Sequence, residues 1–225
     1  MEITNLHSEI LDENRISLLR KIAGGLPFDF YMAGGTALSL QKGYRQSVDF
    51  DFFTPVDFNP EQLDVRLKEL GHSHSVINLA DGTCDVLLDG VQVSFFRYPY
   101  QMLKEVNTSP EYPGLQLASV ADIACMKLVA IGQRGAKKDF YDLYQIMKDE
   151  KWTVHDLIEA MTEKYGTDRD FSYIGMGMSY FGDAETQILP TVYRKVDWNE
   201  IRRFFEKTSD HFMQELEKSM RFDLK

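Results

Sequence analysis

Two aspartates one residue apart, Asp49 and Asp51, lie in the apolar run V-D-F-D-F-F. If this run is a β-strand, alternate residues share a face, so both carboxylates point the same way with their Cα atoms about 7 Å apart. Two neighbouring carboxylates repel each other unless a cation lies between them. Mg²⁺, or Mn²⁺ in its place, suits such oxygen ligands and leaves coordination positions open for phosphate. The alternative is a solvated strand face, since Asp-x-Asp is a common pattern.

A second candidate lies upstream, where Gly34, Gly35 and Thr36 stand between an apolar run and a short helical pattern. Glycines let backbone N–H groups approach a phosphate, and a helix N-terminus attracts negative charge. A phosphate-binding turn about fourteen residues ahead of a metal-binding pair is the arrangement that nucleotidyl transfer requires. The alternative is an ordinary strand-to-helix turn with Thr36 as the N-cap.

Lys127 is a third candidate. The segment 120–131 is apolar on all sides except for Asp122 and Lys127, which predicts a buried helix. An ammonium group in such a helix needs an anionic partner, because an unpaired buried charge is costly. The alternative is that the aliphatic stem of Lys127 carries its charge to the surface.

A short basic segment follows, in which Arg134, Lys137 and Lys138 form a local patch in an acidic chain. This patch is a hypothetical contact with an RNA backbone, and its alternative is a solvated loop. Asp139 then opens the next predicted helix, where the free N–H groups of the first turn stabilise an acidic residue.

Hydrophobic spacing indicates which elements position these side chains. Helices are predicted over 10–24, 36–43, 59–71, 119–132, 139–148, 153–165, 171–181 and 199–220. Strands are predicted over 28–33, 48–53, 72–79, 83–88 and 91–98. Asn59 is the expected N-cap of its helix, with Pro60 in the first turn. The Asp81-Gly82 and Asp89-Gly90 pairs are typical of hairpin turns.

These elements predict an α/β (α+β) fold, with an α/β region over 1–115 and a helical region over 116–225. We expect the two regions to share an active-site cleft, because the candidate residues are divided between them. His72 and His74 alternate on a predicted strand and are expected to face solvent. Cys84 and Cys125 lack a C-x-x-C spacing and are expected in the core.

Composition narrows the class of protein. The chain has 225 residues, of which 44% are hydrophobic, and a net charge of −10. Two cysteines exclude a disulfide scaffold and a cysteine-rich zinc module. The acidic balance argues against non-specific DNA binding. The sequence has neither a signal-peptide pattern nor an apolar run of membrane-spanning length, so we expect a cytoplasmic protein without membrane contact.

Two strings, Y-M-A-G-G-T-A-L-S-L-Q-K-G-Y-R-Q-S-V-D-F-D-F-F and K-L-V-A-I-G-Q-R-G-A-K-K-D-F-Y-D-L-Y, closely resemble the AbiEii/AbiGii toxin family. This family is a branch of the DNA polymerase β-like nucleotidyltransferase superfamily, found in prokaryotic toxin–antitoxin and phage-defence loci. The resemblance extends from about residue 30 to 144. The combination of motifs is specific, whereas no one of them is.

The resemblance implies a polymerase β-like core with a mixed sheet, followed by a helical C-terminal region. It also implies roles for individual residues. Nucleotide phosphates would be held by Gly34, Gly35 and Thr36, with help from Ser47. Mg²⁺ would be bound by Asp49 and Asp51. Lys127 would contact the triphosphate, and Asp139 would be the further acidic residue of the last family motif.

The activity implied is Mg²⁺-dependent transfer of a nucleoside monophosphate from an NTP to an acceptor, with toxicity as the outcome. In some family members the acceptor is tRNA. A genetically linked antitoxin is implied as well, and it need not contact the toxin directly.

One departure from the superfamily pattern concerns the third carboxylate, which such enzymes usually supply from a strand beside the Asp-x-Asp strand. Here the candidate strand offers Ser94, while Asp85 and Asp89 are expected at hairpin turns. Either Asp139 takes the third role, or only one metal binds firmly, or the site is degenerate. Two alternatives therefore stay open: a non-catalytic nucleotide-binding or interaction module, and a nucleotidyltransferase that modifies a small molecule such as an antibiotic or a sugar phosphate.

Overall fold

The computed structural model describes residues 1–26, 30–70 and 73–222. Its chain divides into two compact units, Met1–Ser119 and Val120–Lys225. The first unit contains strands β1 (Tyr31–Ala33), β2 (Phe50–Thr54), β3 (His74–Ala80), β4 (Thr83–Leu88), β5 (Val91–Arg97), β6 (Asn107–Thr108) and β7 (Gln116–Leu117), with helices α1 (Glu13–Gly25), α2 (Gly34–Lys42) and α3 (Pro60–Glu69). The second contains α4 (Val120–Arg134), α5 (Lys137–Asp149), α6 (Val154–Tyr165), α7 (Ser172–Ser179), α8 (Gly182–Glu185) and α9 (Trp198–Phe222).

Within the described residues, seven strands form one mixed sheet in the order β3-β4-β5-β2-β1-β7-β6. β2 runs parallel to β5 and β1 runs parallel to β7, while the remaining pairs are antiparallel. The predicted fold class, a mixed sheet followed by a helical region, is therefore confirmed. β6 and β7 were not predicted from the sequence, because two-residue strands carry no periodic signal.

One face of the sheet forms the core of the first unit. Phe50 and Phe52 on β2 and Phe95 on β5 are fully buried there, because alternate strand residues share a face. The rings of Phe52 and Phe95 stack at 5.2 Å between centroids. Helix α3 packs on β3 and β4. This arrangement leaves the odd-numbered residues of β2, Asp51 among them, on the other face.

Local signals placed several element ends correctly. The side chain of Asn59 accepts a hydrogen bond from Gln62 N at 2.7 Å and caps α3, with Pro60 as its first residue. The Asp81-Gly82 and Asp89-Gly90 pairs form the turns on either side of β4. The predicted strand over 28–33 is shorter, since β1 begins at Tyr31. Residues 28 and 29 lie outside the described residues.

Two side chains differ from their predictions. Asp85 lies inside β4 and pairs with Ser94 on β5, so it is not a turn residue. His74 does not face solvent: its side chain is 7% exposed, and its Nε2 lies 2.6 Å from Asp64 Oδ1 on α3. The prediction for His72 concerns a position outside the described residues. Both cysteines are buried as predicted, and burial raises the pKa of each thiol to about 12.

The helices of the second unit pack through buried contacts of two kinds. Asp122 on α4 and Lys164 on α6 form an ion pair of 2.6 Å, and both side chains are fully buried. α4 and α7 approach closely at Gly132 and Gly177, where a Cβ on Gly177 would lie 2.8 Å from the Cα of Gly132. No helix in the described part of the chain is long and apolar enough to cross a membrane.

Candidate active site

Asp51 occupies the middle of the sheet on the face opposite the core. It pairs with Ala33 on β1 and with Ser94 on β5, and it is half-buried. Asp49 lies one residue before β2 and is also half-buried. The two aspartates are therefore held differently. The backbone of Asp51 is fixed by pairing with strands on both sides, whereas Asp49 precedes the first residue of β2.

Gly34 brings the Asp51 carboxylate against the start of helix α2. Gly34 has φ +70, and a Cβ at this position would lie 2.8 Å from Asp51 Oδ2. Only glycine adopts this conformation without strain and leaves room for the carboxylate. The first N–H groups of a helix have no partner within the helix, and its N-terminus carries partial positive charge. Asp51 and the positive end of α2 are thus neighbours.

Thr36 connects α2 with the segment that precedes β2. Its side chain is buried, and its Oγ1 lies 2.9 Å from Ser47 Oγ and within hydrogen-bond distance of the Asp49 carbonyl oxygen. Thr36 is not the N-cap, because that position belongs to Ala33, whose side chain makes no capping bond. The N-cap alternative is therefore wrong, and Thr36 fixes the relative positions of α2, Ser47 and Asp49.

Arg45 is a site residue that was not predicted from the sequence. Its side chain is 2% exposed, and Nη1 donates a hydrogen bond of 2.9 Å to the carbonyl oxygen of Gln46. A Cβ on Gly35 would lie 2.6 Å from Arg45 Nη2, so a larger residue at this position would displace the guanidinium. A buried guanidinium next to the start of α2 adds positive charge at that end of the helix. Only its position between the two motifs could have indicated it, because one arginine in a connecting segment has no distinctive spacing.

The carboxylates present fit a metal ion that is shared with a substrate. Among the described residues, no group of three or more histidine, cysteine, aspartate or glutamate side chains could hold a metal by itself. Mg²⁺ is usually bound through one or two carboxylates together with substrate phosphates. Asp49 and Asp51 match this donor set. Ser94 on β5 lies opposite Asp51 as predicted and is 3% exposed. Asp85 on β4 pairs with Ser94 on the other side, so it lies one strand further from Asp51.

Lys127 lies in the second unit at the centre of a buried charge cluster. Its Nζ lies 2.8 Å from Asp139 Oδ1 and 2.6 Å from Asp142 Oδ2, and both carboxylates are fully buried. The predicted anionic partner is thus confirmed, and the alternative of an exposed ammonium is wrong. Arg134 Nε donates to Asp139 Oδ2 at 3.0 Å. Burial alone would raise the pKa of Asp139, but the charges and hydrogen bonds of Lys127 and Arg134 outweigh burial and hold that pKa at about 2.

The predicted basic patch is partly engaged within the second unit. Arg134 binds Asp139, although 60% of its side chain is exposed. Lys137 Nζ donates to the carbonyl oxygen of Gln187 at 3.0 Å and lies 4.9 Å from the centroid of the Trp198 ring. Lys138 is exposed at the start of α5. Of the three side chains, Lys138 is therefore the simplest to test as an RNA contact.

A mixed sheet that sets a strand carboxylate beside a glycine-opened helix is the site architecture of a nucleotidyltransferase. The model of the nucleotidyl transferase AbiEii toxin family, of type IV toxin–antitoxin systems, matches residues 18–107 and 81–223. These ranges include most of the chain. The chain therefore belongs to the AbiEii nucleotidyltransferase family.

The chain is also similar to one protein of known sequence and to two solved structures. An uncharacterized protein of Aquifex aeolicus (strain VF5) is 37% identical over 206 residues, which cover 90% of this chain and 97% of the relative. A proposed nucleotidyltransferase from Helicobacter pylori has a crystal structure with a TM-score of 0.57 and 20% identity, covering 92% of this chain and 98% of the other. The crystal structure of JHP933 from the same organism has a TM-score of 0.57 and 19% identity, covering 96% of this chain and 97% of the other. The two crystal structures support the fold.

Proposed function

We propose that this nucleotidyltransferase uses Mg²⁺ to move a nucleoside monophosphate from an NTP to an acceptor, with tRNA as the acceptor class, and that it acts as the toxin of a toxin–antitoxin or phage-defence system. The observation that carries the proposal is the position of the Asp51 carboxylate against the N-terminus of α2, made possible by Gly34. A metal ligand next to a phosphate-attracting helix end is what a bound metal–polyphosphate needs.

The reaction is an in-line attack by an acceptor hydroxyl on the α-phosphate. A new oxygen–phosphorus bond forms as the bond to the leaving pyrophosphate breaks, and the hydroxyl proton is released to water. Mg²⁺ held by Asp49 and Asp51 would supply charge stabilisation at the phosphates. The N–H groups of Gly34 and Gly35 would orient the phosphates, and the Arg45 guanidinium would add to the positive potential there. Thr36 and Ser47 would fix the geometry of this binding turn.

By the family resemblance, Lys127 would be a triphosphate contact and Asp139 would be the further acidic residue. Support for these two roles comes from the family motif; in the structure both groups are buried in one charge cluster. Because the ammonium of Lys127 is bound between two carboxylates, its position is fixed before any substrate arrives. We place the reaction in the cytoplasm, where NTPs and tRNA are available, with an antitoxin that need not contact this chain.

Ser94 favours a second candidate function, a nucleotide-binding module without turnover. It occupies the position opposite Asp51 where a third carboxylate is usual in the superfamily, and a serine hydroxyl cannot replace the charge of a metal-binding acid. This candidate predicts Mg²⁺-dependent NTP binding without any transferred label. The third candidate function is a nucleotidyltransferase that modifies a small cationic molecule. The net charge of −10 favours it, because an acidic protein attracts a cationic acceptor.

A labelled transfer assay tests the proposal. Purified protein is incubated with Mg²⁺, each α-labelled NTP in turn and total tRNA, beside the variants Asp51→Ala and Asp81→Ala. Asp81 is an exposed hairpin residue and is the matched control. We expect label on tRNA with the wild-type protein and with Asp81→Ala, and a loss of at least about 100-fold with Asp51→Ala.

Other outcomes would redirect the assignment. NTP binding without labelled tRNA would support a small-molecule acceptor or the module without turnover, and a set of aminoglycosides and sugar phosphates would then separate these two. Absence of NTP binding would contradict the proposed function altogether.

A further inference from the structure

Aromatic side chains continue the Asp51 face of the sheet toward the far end of β2. Phe53 is two residues beyond Asp51 and therefore shares its face. In the sheet register Phe53 pairs with Tyr31 on β1 and with Phe96 on β5. Strand pairing places Asp51 beside Ser94. Two residues further along β2, the same pairing places the rings of Tyr31, Phe53 and Phe96 side by side.

These rings form a connected cluster. The centroid of Phe53 lies 6.1 Å from that of Tyr31 and 5.4 Å from that of Phe96, with interplanar angles of 25° and 33°. Tyr98 meets Phe53 edge-on at 5.6 Å, and Tyr100 meets Tyr98 at 4.8 Å. Each ring is thereby fixed in orientation by its neighbours.

The cluster differs from the aromatic pairs of the core in its exposure. On the opposite face, Phe52 and Phe95 are fully buried. Phe53, Phe96 and Tyr98 are only half-buried, so part of their ring surface stays accessible. Tyr31, at the edge of this cluster, is buried, so the accessible ring surface belongs to the other three side chains.

The phosphate-attracting end of α2, Asp51 and the aromatic rings follow one another along β2, as the phosphates and the base follow one another in a nucleotide. β1 runs antiparallel to β2, so Gly34, which follows Ala33, lies beyond Asp51 on the side away from Phe53. The phosphate-attracting end of α2 and the rings therefore flank Asp51 on opposite sides. Asp51 and Phe53 are about 7 Å apart along the strand. A nucleotide with a phosphate at Asp51 can thus direct its base toward the rings.

We propose that Phe53, Phe96 and Tyr98 form a stacking platform for a nucleobase next to Asp51. This inference rests on the proposed function and assigns a binding site for the base to the first unit. Base stacking on aromatic rings tolerates all four bases, because each base offers a π-face. The base belongs either to the donor NTP or to the acceptor nucleotide, and the test distinguishes these two sources.

Two variants, Phe96→Leu and Tyr98→Leu, remove ring surface while keeping apolar volume. Phe58→Leu is the matched control, because Phe58 is a half-buried ring of the same unit that packs on Phe30 at 5.3 Å, outside the platform. Circular dichroism selects the variants that keep the wild-type fold. Tyr98 follows the end of β5, so Tyr98→Leu leaves the residues of the strand itself unchanged.

Mg²⁺-dependent affinity is measured for ATP against ribose 5-triphosphate, and for a short oligonucleotide against one that lacks its 3′-terminal base. We expect the wild-type protein and Phe58→Leu to prefer one base-containing ligand by about 10-fold, and both platform variants to lose that preference. If the variants lose the preference for ATP over ribose 5-triphosphate, the platform binds the base of the donor NTP. If they lose the preference for the complete oligonucleotide, the platform binds the base of the acceptor. Affinity for the ligand without a base should not change.

Two results would overturn the proposal in different ways. If folded platform variants keep the base preference of the wild-type protein, or if the wild-type protein binds nucleotides without any base preference, the stacking platform is wrong while the nucleotidyltransferase proposal stands. If the wild-type protein binds neither nucleotide, the proposed function fails and the platform with it.

Discussion

Gly34 and Gly35 make different contributions to the site. Gly34 permits a left-handed conformation and the contact with Asp51, whereas Gly35 permits the approach of the Arg45 guanidinium. At both positions a charged group lies where a Cβ would be, and at Gly34 the positive φ is a further reason for glycine.

Substitution Gly34→Ala should reduce transfer strongly. The added Cβ would displace the Asp51 carboxylate, and the φ of +70 would add backbone strain of about 1 kcal/mol. Gly90→Ala is the matched control, because Gly90 has φ +78 and no heavy atom within 4 Å of an added Cβ. We expect similar losses of unfolding free energy in both variants and a loss of transfer activity only in Gly34→Ala. Equal activity in the two would show that the contact with Asp51 is not needed.

Asp139 should make the stability of the second unit depend on acid. Its pKa is held at about 2 in the folded protein, below the value of about 3.9 for an unfolded chain. The lowered pKa means that the stabilisation is complete above about pH 5 and is lost as the pH falls through the unfolded value toward 2. Its size is about 2 kcal/mol. Urea unfolding between pH 5 and 2.5 should show a smaller pH dependence for Asp139→Asn than for the wild-type protein. Identical pH dependences would contradict this origin.

At the scale of elements, buried ion pairs connect helices of the second unit. Asp122 and Lys164 join α4 to α6, and Lys127 joins α4 to Asp139 and Asp142 of α5. Removing water from such groups costs several kcal/mol per ion, so the pairs specify which helices meet more than they add net stability.

The Asp122–Lys164 pair provides the test. Lys164→Met alone should lower the free energy of unfolding by about 3 to 5 kcal/mol, because it leaves a buried carboxylate without its partner. The double variant Asp122→Leu/Lys164→Met should recover most of this loss, since an apolar pair needs no compensating charge. Lys218→Met, which breaks an exposed pair with Glu215, should change stability by about 0.5 kcal/mol or less. Denaturant unfolding monitored by circular dichroism measures all three, and a double variant as unstable as the single one would argue against this account.

At the scale of the whole molecule, the net charge of −10 opposes contact with any polyanion. An RNA acceptor must therefore meet a local concentration of positive charge. Arg134 and Lys137 already bind groups within the second unit, so substituting them would also disturb packing. Lys138 is exposed and offers a cleaner probe of the RNA hypothesis.

Charge reversal in Lys138→Glu should weaken tRNA binding several-fold and lower the slope of log affinity against log salt by about 1, because fewer counterions are released. Lys207→Glu on α9 makes the same charge change at an exposed position outside the patch and is the control. Filter binding over a range of salt concentrations measures both slopes. If the two variants bind tRNA alike, the patch does not contact RNA.

The sequence alone was sufficient for features that depend on neighbours along the chain. The period-two alternation placed Asp51 opposite Phe50 and Phe52, and the Asn59 cap and the Asp-Gly turns followed from local backbone chemistry. The family motifs identified the class of enzyme, since their combined spacing reflects one fold. These features depend on residues within a few positions of one another, so a short stretch of sequence contains all the groups that determine them.

Only the tertiary structure decided which groups meet across the sheet and between helices. The contact of Gly34 with Asp51, the burial of Arg45 against Gly35 and the row that includes Asp85 depend on strand order and register. Burial of Lys127 could be inferred from its apolar helix, but its bonding to Asp139 and Asp142 could not. The free energy of such a contact depends on distance and solvent exclusion, and neither is fixed until distant segments have packed together.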